Sequence, residues 1–164
     1  MDIFEFAMKM EMDGRNFYLE HAAKIPSPEL KRILEELADD ERKHYGIFKS
    51  LKEGLPAAYQ EAGQTKILSS IKNVFETLKA ENKEPSFPPD AQKIWEEARE
   101  IEKRSEDFYR EKANEVTSAE QKQILNHIAE EEHKHWVTIE SVIKFLDRPH
   151  HWLEDAEWSN LEDY

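Results

Sequence analysis

Cysteine is absent from these 164 residues. Disulfides, thiolate metal sites and thiol catalysis are therefore excluded. Glycine occurs only four times, and runs rich in Val, Ile and Thr are missing, which favours a protein of long helices. Positive charge is in deficit: 23 Lys and Arg stand against 36 Asp and Glu, for a formal net charge of −13. A nucleic-acid backbone as partner needs stripes of Lys and Arg, so none is expected, whereas a field of this sign draws cations toward a site. No apolar run reaches the roughly 18 residues of a transmembrane helix, so no membrane partner is expected. The start, Met1-Asp2-Ile3-Phe4-Glu5, has no basic region of the kind that opens a signal peptide, and a cytoplasmic location is the default expectation. The length suits one domain with a sizeable core.

What is present is a repeat. Residues 3–51 align without a gap on 94–142, and 18 of the 49 pairs are identical, far more than unrelated segments share. Inside it the same pattern occurs twice, 91 residues apart: Glu11 with Glu41-x-x-His44, and Glu102 with Glu132-x-x-His135. Four segments have helical periodicity. The first is expected from about Asp2 to Ile25, broken by Pro26-Ser27-Pro28. Ser27 reads as the N-cap of the second, with Pro28 at its first position, and Gly54-Leu55-Pro56 ends it near Glu53. Asp90 is expected to cap the third, which reaches about Val116. Ser118-x-x-Gln121 opens the fourth as a capping box, continuing to about Asp147. The halves are helical hairpins joined by residues 55–89, with a short helix expected over Thr65–Ala80 and an extended Glu84–Pro89. A connection of this length runs from one end of a bundle to the other, which predicts an all-α four-helix bundle over 1–147 with a long crossover between helices two and three. The tail, 148–164, carries Trp152, Trp158 and Tyr164 and is expected to pack on the bundle or on a partner subunit.

The repeated acids lie where helical periodicity calls for apolar residues. In the second helix the stripe is Leu34, Leu37, Ala38, Glu41, His44, Phe48 and Leu51, and in the fourth Leu125, Ile128, Ala129, Glu132, His135 and Ile139. Glu11 and Glu102 sit on the corresponding stripes of the first and third. An unpaired buried carboxylate costs several kcal/mol, and four converging ones repel each other. Two divalent cations balance four negative charges, and two imidazoles complete the shell. Positions i and i+3 share a helix face, so Glu-x-x-His brings both donor types to one point. Asp40 and Glu131, repeat-equivalent, read either as acceptors for the remaining N–H of the histidine of the opposite half or as solvated acids on the helix face. Tyr18 and Tyr109, on the stripes of Glu11 and Glu102, read either as donors of a hydroxyl to a ligand carboxylate or as core aromatics whose hydroxyl is satisfied elsewhere. Gly14 and Ser105, one turn from those acids, leave space for an exogenous ligand or for close helix packing. His21, His127 and His133 fall off the stripe, His150-His151 reads as a solvated pair, and Trp95 and Trp136 as core.

With these residues in hand the chain resembles the rubrerythrin-like branch of the ferritin-like di-iron carboxylate proteins, over about Asp2 to Asp147. The resemblance rests on Glu11, Glu41-Arg42-Lys43-His44, Glu102, Glu132-His133-Lys134-His135 and the Phe-Tyr pairs at 17–18 and 108–109. It implies a left-handed four-helix bundle with two iron ions at its centre and redox chemistry with peroxide or dioxygen. Rubrerythrins proper carry a rubredoxin module with paired Cys-x-x-Cys motifs, which this cysteine-free sequence does not contain, so electrons are expected from a separate donor such as rubredoxin. Rubrerythrins also place a further carboxylate on the third helix one turn from the first. Here that turn holds Ser105, with Glu106 adjacent, so a symmetric six-ligand site is expected. Peroxide reduction is the leading expectation. Ferroxidase or iron handling with dioxygen, a manganese catalase-like site, and a non-redox bundle holding zinc stand beside it. A homodimer is the expected assembly.

Overall fold

The computed structural model describes residues 2–55, 64–82, 87–155 and 157–163. All regular elements among them are helical: α1 (Ile3–Ala22), α2 (Pro28–Lys52), α3 (Ile67–Ala80), α4 (Ala91–Glu115), α5 (Ala119–Asp147) and α6 (Pro149–Asp155), followed by a 3₁₀ helix over Glu157–Asp163. α1 packs along α2 and α4 along α5, and the two hairpins close into a ferritin-like four-helix bundle. α3 lies within the crossover and rests against α2 and α5. Of the expected extended stretch, residues 84–86 fall outside the described residues, as do Pro56 and Tyr164.

The hairpin turns follow their local chemistry. Ser27 Oγ accepts from Leu30 N at 3.2 Å, with Pro28 in the first turn, and Ser118 Oγ accepts from Gln121 N at 3.2 Å. Each satisfies an amide that the first turn of a helix leaves without a partner. Gly54 has φ +72° just past α2, a left-handed conformation that glycine adopts without a Cβ clash. Three expectations need correction. α1 stops at Ala22 rather than Ile25, because Lys24 and Ile25 bond back three residues, to His21 and Ala22, and the residue before Pro26 is disfavoured in α geometry. α3 starts at Ile67 rather than Thr65, whose hydroxyl takes the Ile67 amide at 3.2 Å instead of a helical carbonyl. Asp90 occupies the cap position of α4, but its side chain makes no capping bond.

A polar belt divides the apolar core into two. One cluster gathers Leu30, Leu34, Ile71, Phe75, Trp95 and Phe145 with the tail residues Trp152, Leu153, Trp158 and Leu161. The other holds Ala7, Phe48, Tyr109, Ile124, Leu125 and Ile128. The tail therefore packs on its own bundle, with Trp152 and Trp158 ring centroids 5.6 and 6.2 Å from that of Phe75. Trp95 is core as expected. Trp136 is only partly buried and stacks on His133 at 6.0 Å, so it is a boundary residue rather than core. Among the described residues no helix is long and apolar enough to cross a membrane.

Candidate metal centre

The belt between the two apolar clusters consists of the repeated acids and histidines. Glu11, Glu41, His44, Glu102, Glu132 and His135 are all at most 2% exposed. Donor atoms of Glu11, Glu41, His44 and Glu132 lie within 4.8 Å of one another, and so do those of Glu41, Glu102, Glu132 and His135. Glu41 and Glu132 belong to both groups. The arrangement is thus two overlapping four-donor sets, each with one imidazole and one carboxylate of its own and two carboxylates held in common.

Both imidazoles present Nδ1 to this centre. His44 Nδ1 lies 3.0 Å from Glu132 Oε1 and 3.5 Å from Glu11 Oε2. His135 Nδ1 lies 3.2 Å from Glu41 Oε1 and 3.3 Å from Glu102 Oε1. The Nε2 atoms face away, toward Glu131 Oε1 at 2.9 Å from His44 and Asp40 Oδ2 at 2.9 Å from His135. Asp40 and Glu131 therefore stand against the histidine of the opposite hairpin. An Nε2–H donated outward leaves the Nδ1 lone pair directed inward, the tautomer a metal requires. The tyrosines also cross over: Tyr109 Oη donates to Glu11 Oε1 at 2.7 Å, and Tyr18 Oη donates to Glu102 Oε1.

Thr65, outside the repeat, joins the two outer acids. Its amide donates to Glu131 Oε2 at 2.6 Å and its hydroxyl to Asp40 Oδ2. Periodicity gave no signal for it, since it lies in the crossover. Gly14 is the other residue whose role emerges only in three dimensions. A Cβ there would stand 3.2 Å from Glu41 Oε2, so the missing side chain makes room for a shared carboxylate. Glu106, adjacent to Ser105, belongs to neither donor set. It is bound to Arg110 Nε at 2.9 Å and His133 Nδ1 at 3.1 Å.

The donor chemistry fits a metal pair. Glu11 Oε2, Glu41 Oε1, Glu102 Oε2 and Glu132 Oε2 are each buried without a hydrogen-bond partner. Buried acceptors are normally satisfied, and one orphan on each of four convergent carboxylates is the pattern that cations complete. Without metal, protons have to neutralise the cluster. Burial, reinforced by the neighbouring carboxylates, pushes Glu41 and Glu132 well above the usual carboxylate range. Burial also opposes ionisation of Glu11, but hydrogen bonding from Glu41 and the charge of His44 outweigh it and hold Glu11 at about 2. Glu102 is lowered in the same way against its burial, chiefly by the charge of His135. Burial disfavours the charged imidazoles, yet Glu11 raises His44 and Glu102 raises His135 well above the ordinary value. Asp40 and Glu131 are lowered despite their burial by the hydrogen bonds to His135 and His44. Burial and the facing carboxylates raise Tyr18 and Tyr109, which stay protonated donors.

The family model described as Rubrerythrin matches residues 2–143. The chain belongs to the rubrerythrin family. Comparison with curated proteins and with solved structures returned no match. Family membership and the two donor sets agree on a carboxylate and histidine site able to hold metal at the centre of the bundle. In this member of the rubrerythrins the centre is built from three repeat-related pairs of side chains, and its outer acids are tied together by one crossover residue.

Proposed function

We propose that this rubrerythrin-family protein is a di-iron carboxylate oxidoreductase that reduces hydrogen peroxide to water at the centre of its bundle. The observation that carries the reading is the orphaned oxygen on each of the four central carboxylates, flanked by two inward Nδ1 atoms. Glu11 and His44 would hold one ion, Glu102 and His135 the other, and Glu41 and Glu132 would serve both. Bound as a ferrous pair, the iron supplies the two electrons that cleavage of the O–O bond consumes, one from each ion. The chain's own contribution is geometric and electrostatic. Asp40 and Glu131 orient the imidazoles, and Tyr18 and Tyr109 hold Glu102 and Glu11 by their hydroxyls. The apolar clusters on both sides of the belt exclude bulk water, which strengthens these interactions. The two protons that the product water requires come from solvent, because Glu41 and Glu132 give up theirs when metal binds. A separate one-electron carrier, such as a rubredoxin, would restore the reduced state.

The test is anaerobic loading with ferrous iron followed by a stopped-flow pulse of peroxide, run beside dioxygen and beside a Glu41→Ala/Glu132→Ala variant. Rapid oxidation of two irons per chain by peroxide, slow with dioxygen and lost in the variant, is the expected result. Oxidation no faster than that of ferrous ion in buffer would refute the proposal. One feature favours ferroxidase activity as a second reading: Ser105, where rubrerythrins place a further carboxylate, leaves the donor set symmetric, and Glu106 is engaged elsewhere. Faster oxidation by dioxygen than by peroxide would decide for it.

A further inference from the structure

A groove of about 550 Å³ opens between α1 and α4, within the roughly 300–1,000 Å³ range of small-molecule sites. Its position is informative. Eight of its nine lining residues are both members of four pairs spaced 91 apart, among them the aromatic pair Phe17 and Phe108 and the small pair Gly14 and Ser105. A cavity lined by four matched pairs from the two halves lies on the pseudo-two-fold axis that relates them. The six central donors are three such pairs as well, and Glu41 and Glu132 straddle the same axis. The groove is therefore aimed at the midpoint of the donor set.

Only one layer separates them. Gly14 forms part of the groove's floor, and the place its Cβ would occupy is 3.2 Å from Glu41 Oε2. The opposite pole of the axis is closed, because Thr65 spans Asp40 and Glu131 there and α3 packs on α2 and α5. The groove is thus the open pole. Its wall is largely apolar, and among the described residues Asp13 and Arg104 are the charged ones that line it. A broad dimer face is a poorer match for it, since among the described residues the large exposed hydrophobics are Phe6, Leu19 and Leu55, and of these Phe6 alone borders the groove.

We infer that this groove binds the apolar group of an organic hydroperoxide and directs its O–O end through the Gly14 and Ser105 floor toward the shared carboxylates. This rests on the peroxidase reading above and names its substrate class. The reaction balances as ROOH plus two electrons and two protons giving ROH and water. The O–O bond breaks, the peroxide is reduced, and two ferrous ions are oxidised by one electron each. A one-electron carrier protein returns the electrons.

Two experiments test the inference and keep it separable from that reading. The first titrates metal-free protein with 2-phenyl-2-propanol, the product of cumene hydroperoxide, and follows the aromatic resonances of Phe6, Phe17 and Phe108 by NMR. Saturable shifts at these rings are expected, and their absence overturns the groove assignment whatever the peroxide kinetics show. The second compares cumene hydroperoxide with hydrogen peroxide on iron-loaded protein. Ile101→Trp, which fills the groove, and Phe6→Ala, which removes an exposed wall and leaves the core intact, should each lower the ratio of the two kcat/KM values at least about tenfold. An unchanged ratio in both variants refutes the substrate class. Turnover of neither peroxide, with binding intact, overturns the peroxidase reading and the hydroperoxide assignment with it, and leaves an apolar-ligand groove. A wild-type dimer that Ile101→Trp converts to monomer would make the groove a subunit contact and overturn the proposal.

Discussion

At Gly14 a hydrogen stands where a methyl group would press on the carboxylate of Glu41. The two consequences of Gly14→Ala have opposite sign. Alanine is favoured over glycine inside a helix by about 1 kcal/mol, and the crowded atom is the end of a side chain that can yield by a few tenths of an ångström. The metal-free protein should therefore melt no lower than the parent. Glu41, however, is common to both donor sets, so its displacement should weaken metal binding. Calorimetric melting of the metal-free protein beside a ferrous or cobalt competition titration reads the two effects separately. A variant that loses stability and keeps full affinity would contradict this account of Gly14. Ser105, its repeat partner, is buried at 5% exposure and shows how a small side chain on one stripe serves packing and site together.

Among the elements, the crossover ties the site together from outside the repeat. Thr65→Val keeps the shape and the amide bond to Glu131 but removes the hydroxyl that binds Asp40 and caps Ile67. Losing the group that orients a metal-binding histidine typically costs about 10–100-fold in metal affinity. Thr65 lies one contact further out, behind Asp40, so a competition titration should find a smaller loss for Thr65→Val. Thr65→Ser should recover most of it. Equal losses in both variants would assign the effect to packing at the start of α3 instead. The hairpin turns allow an independent check. Ser27 and Ser118 are repeat-equivalent N-caps with the same 3.2 Å bond to the amide three residues on. Replacing either by alanine should cost about 1 kcal/mol of stability in urea unfolding, with little change in metal affinity, because neither lies in the belt.

For the whole molecule, the protonation pattern predicts how stability varies with pH. In the metal-free protein Glu41 and Glu132 are raised above their ordinary 4.5, and His44 and His135 above 6.5. These groups bind more protons folded than unfolded, so the stability they contribute is present in acid and is lost as pH rises from about 4.5 through and beyond 6.5. Glu11, at about 2, and Glu102 are lowered, so their contribution is present above 4.5 and lost as pH falls toward their folded values. The metal-free protein should thus be most stable in mild acid and melt progressively lower from pH 6 to pH 9. Metal replaces these protons, so binding should release them and strengthen with pH. The gap in melting temperature between loaded and free protein should then widen toward alkaline pH. Scanning calorimetry of both forms across that range decides it, and a constant gap would mean that the belt is not neutralised by protons.

Much of this architecture could be read from the chain because it is local or repeated. A helix repeats every 3.6 residues, so an acid three or four positions from apolar neighbours is on the inner face whatever it packs against. The 91-residue offset then names its counterpart. The expectation that Asp40 and Glu131 face the opposite histidines draws in addition on the second N–H that a metal-bound imidazole donates to a carboxylate. The inward position of Glu11, Glu41, His44, Glu102, Glu132 and His135 and the four long helices follow from those two regularities alone. What they do not carry is the relation between helices. Packing decided that Nδ1 and not Nε2 faces the centre, that Glu41 and Glu132 are shared, and that Tyr18 and Tyr109 reach across to the other half's glutamate. It also decided that the crossover closes one pole of the axis through Thr65 while a groove leaves the other open. These are distances between residues some 25 to 98 positions apart in sequence, and periodicity within one helix is blind to them.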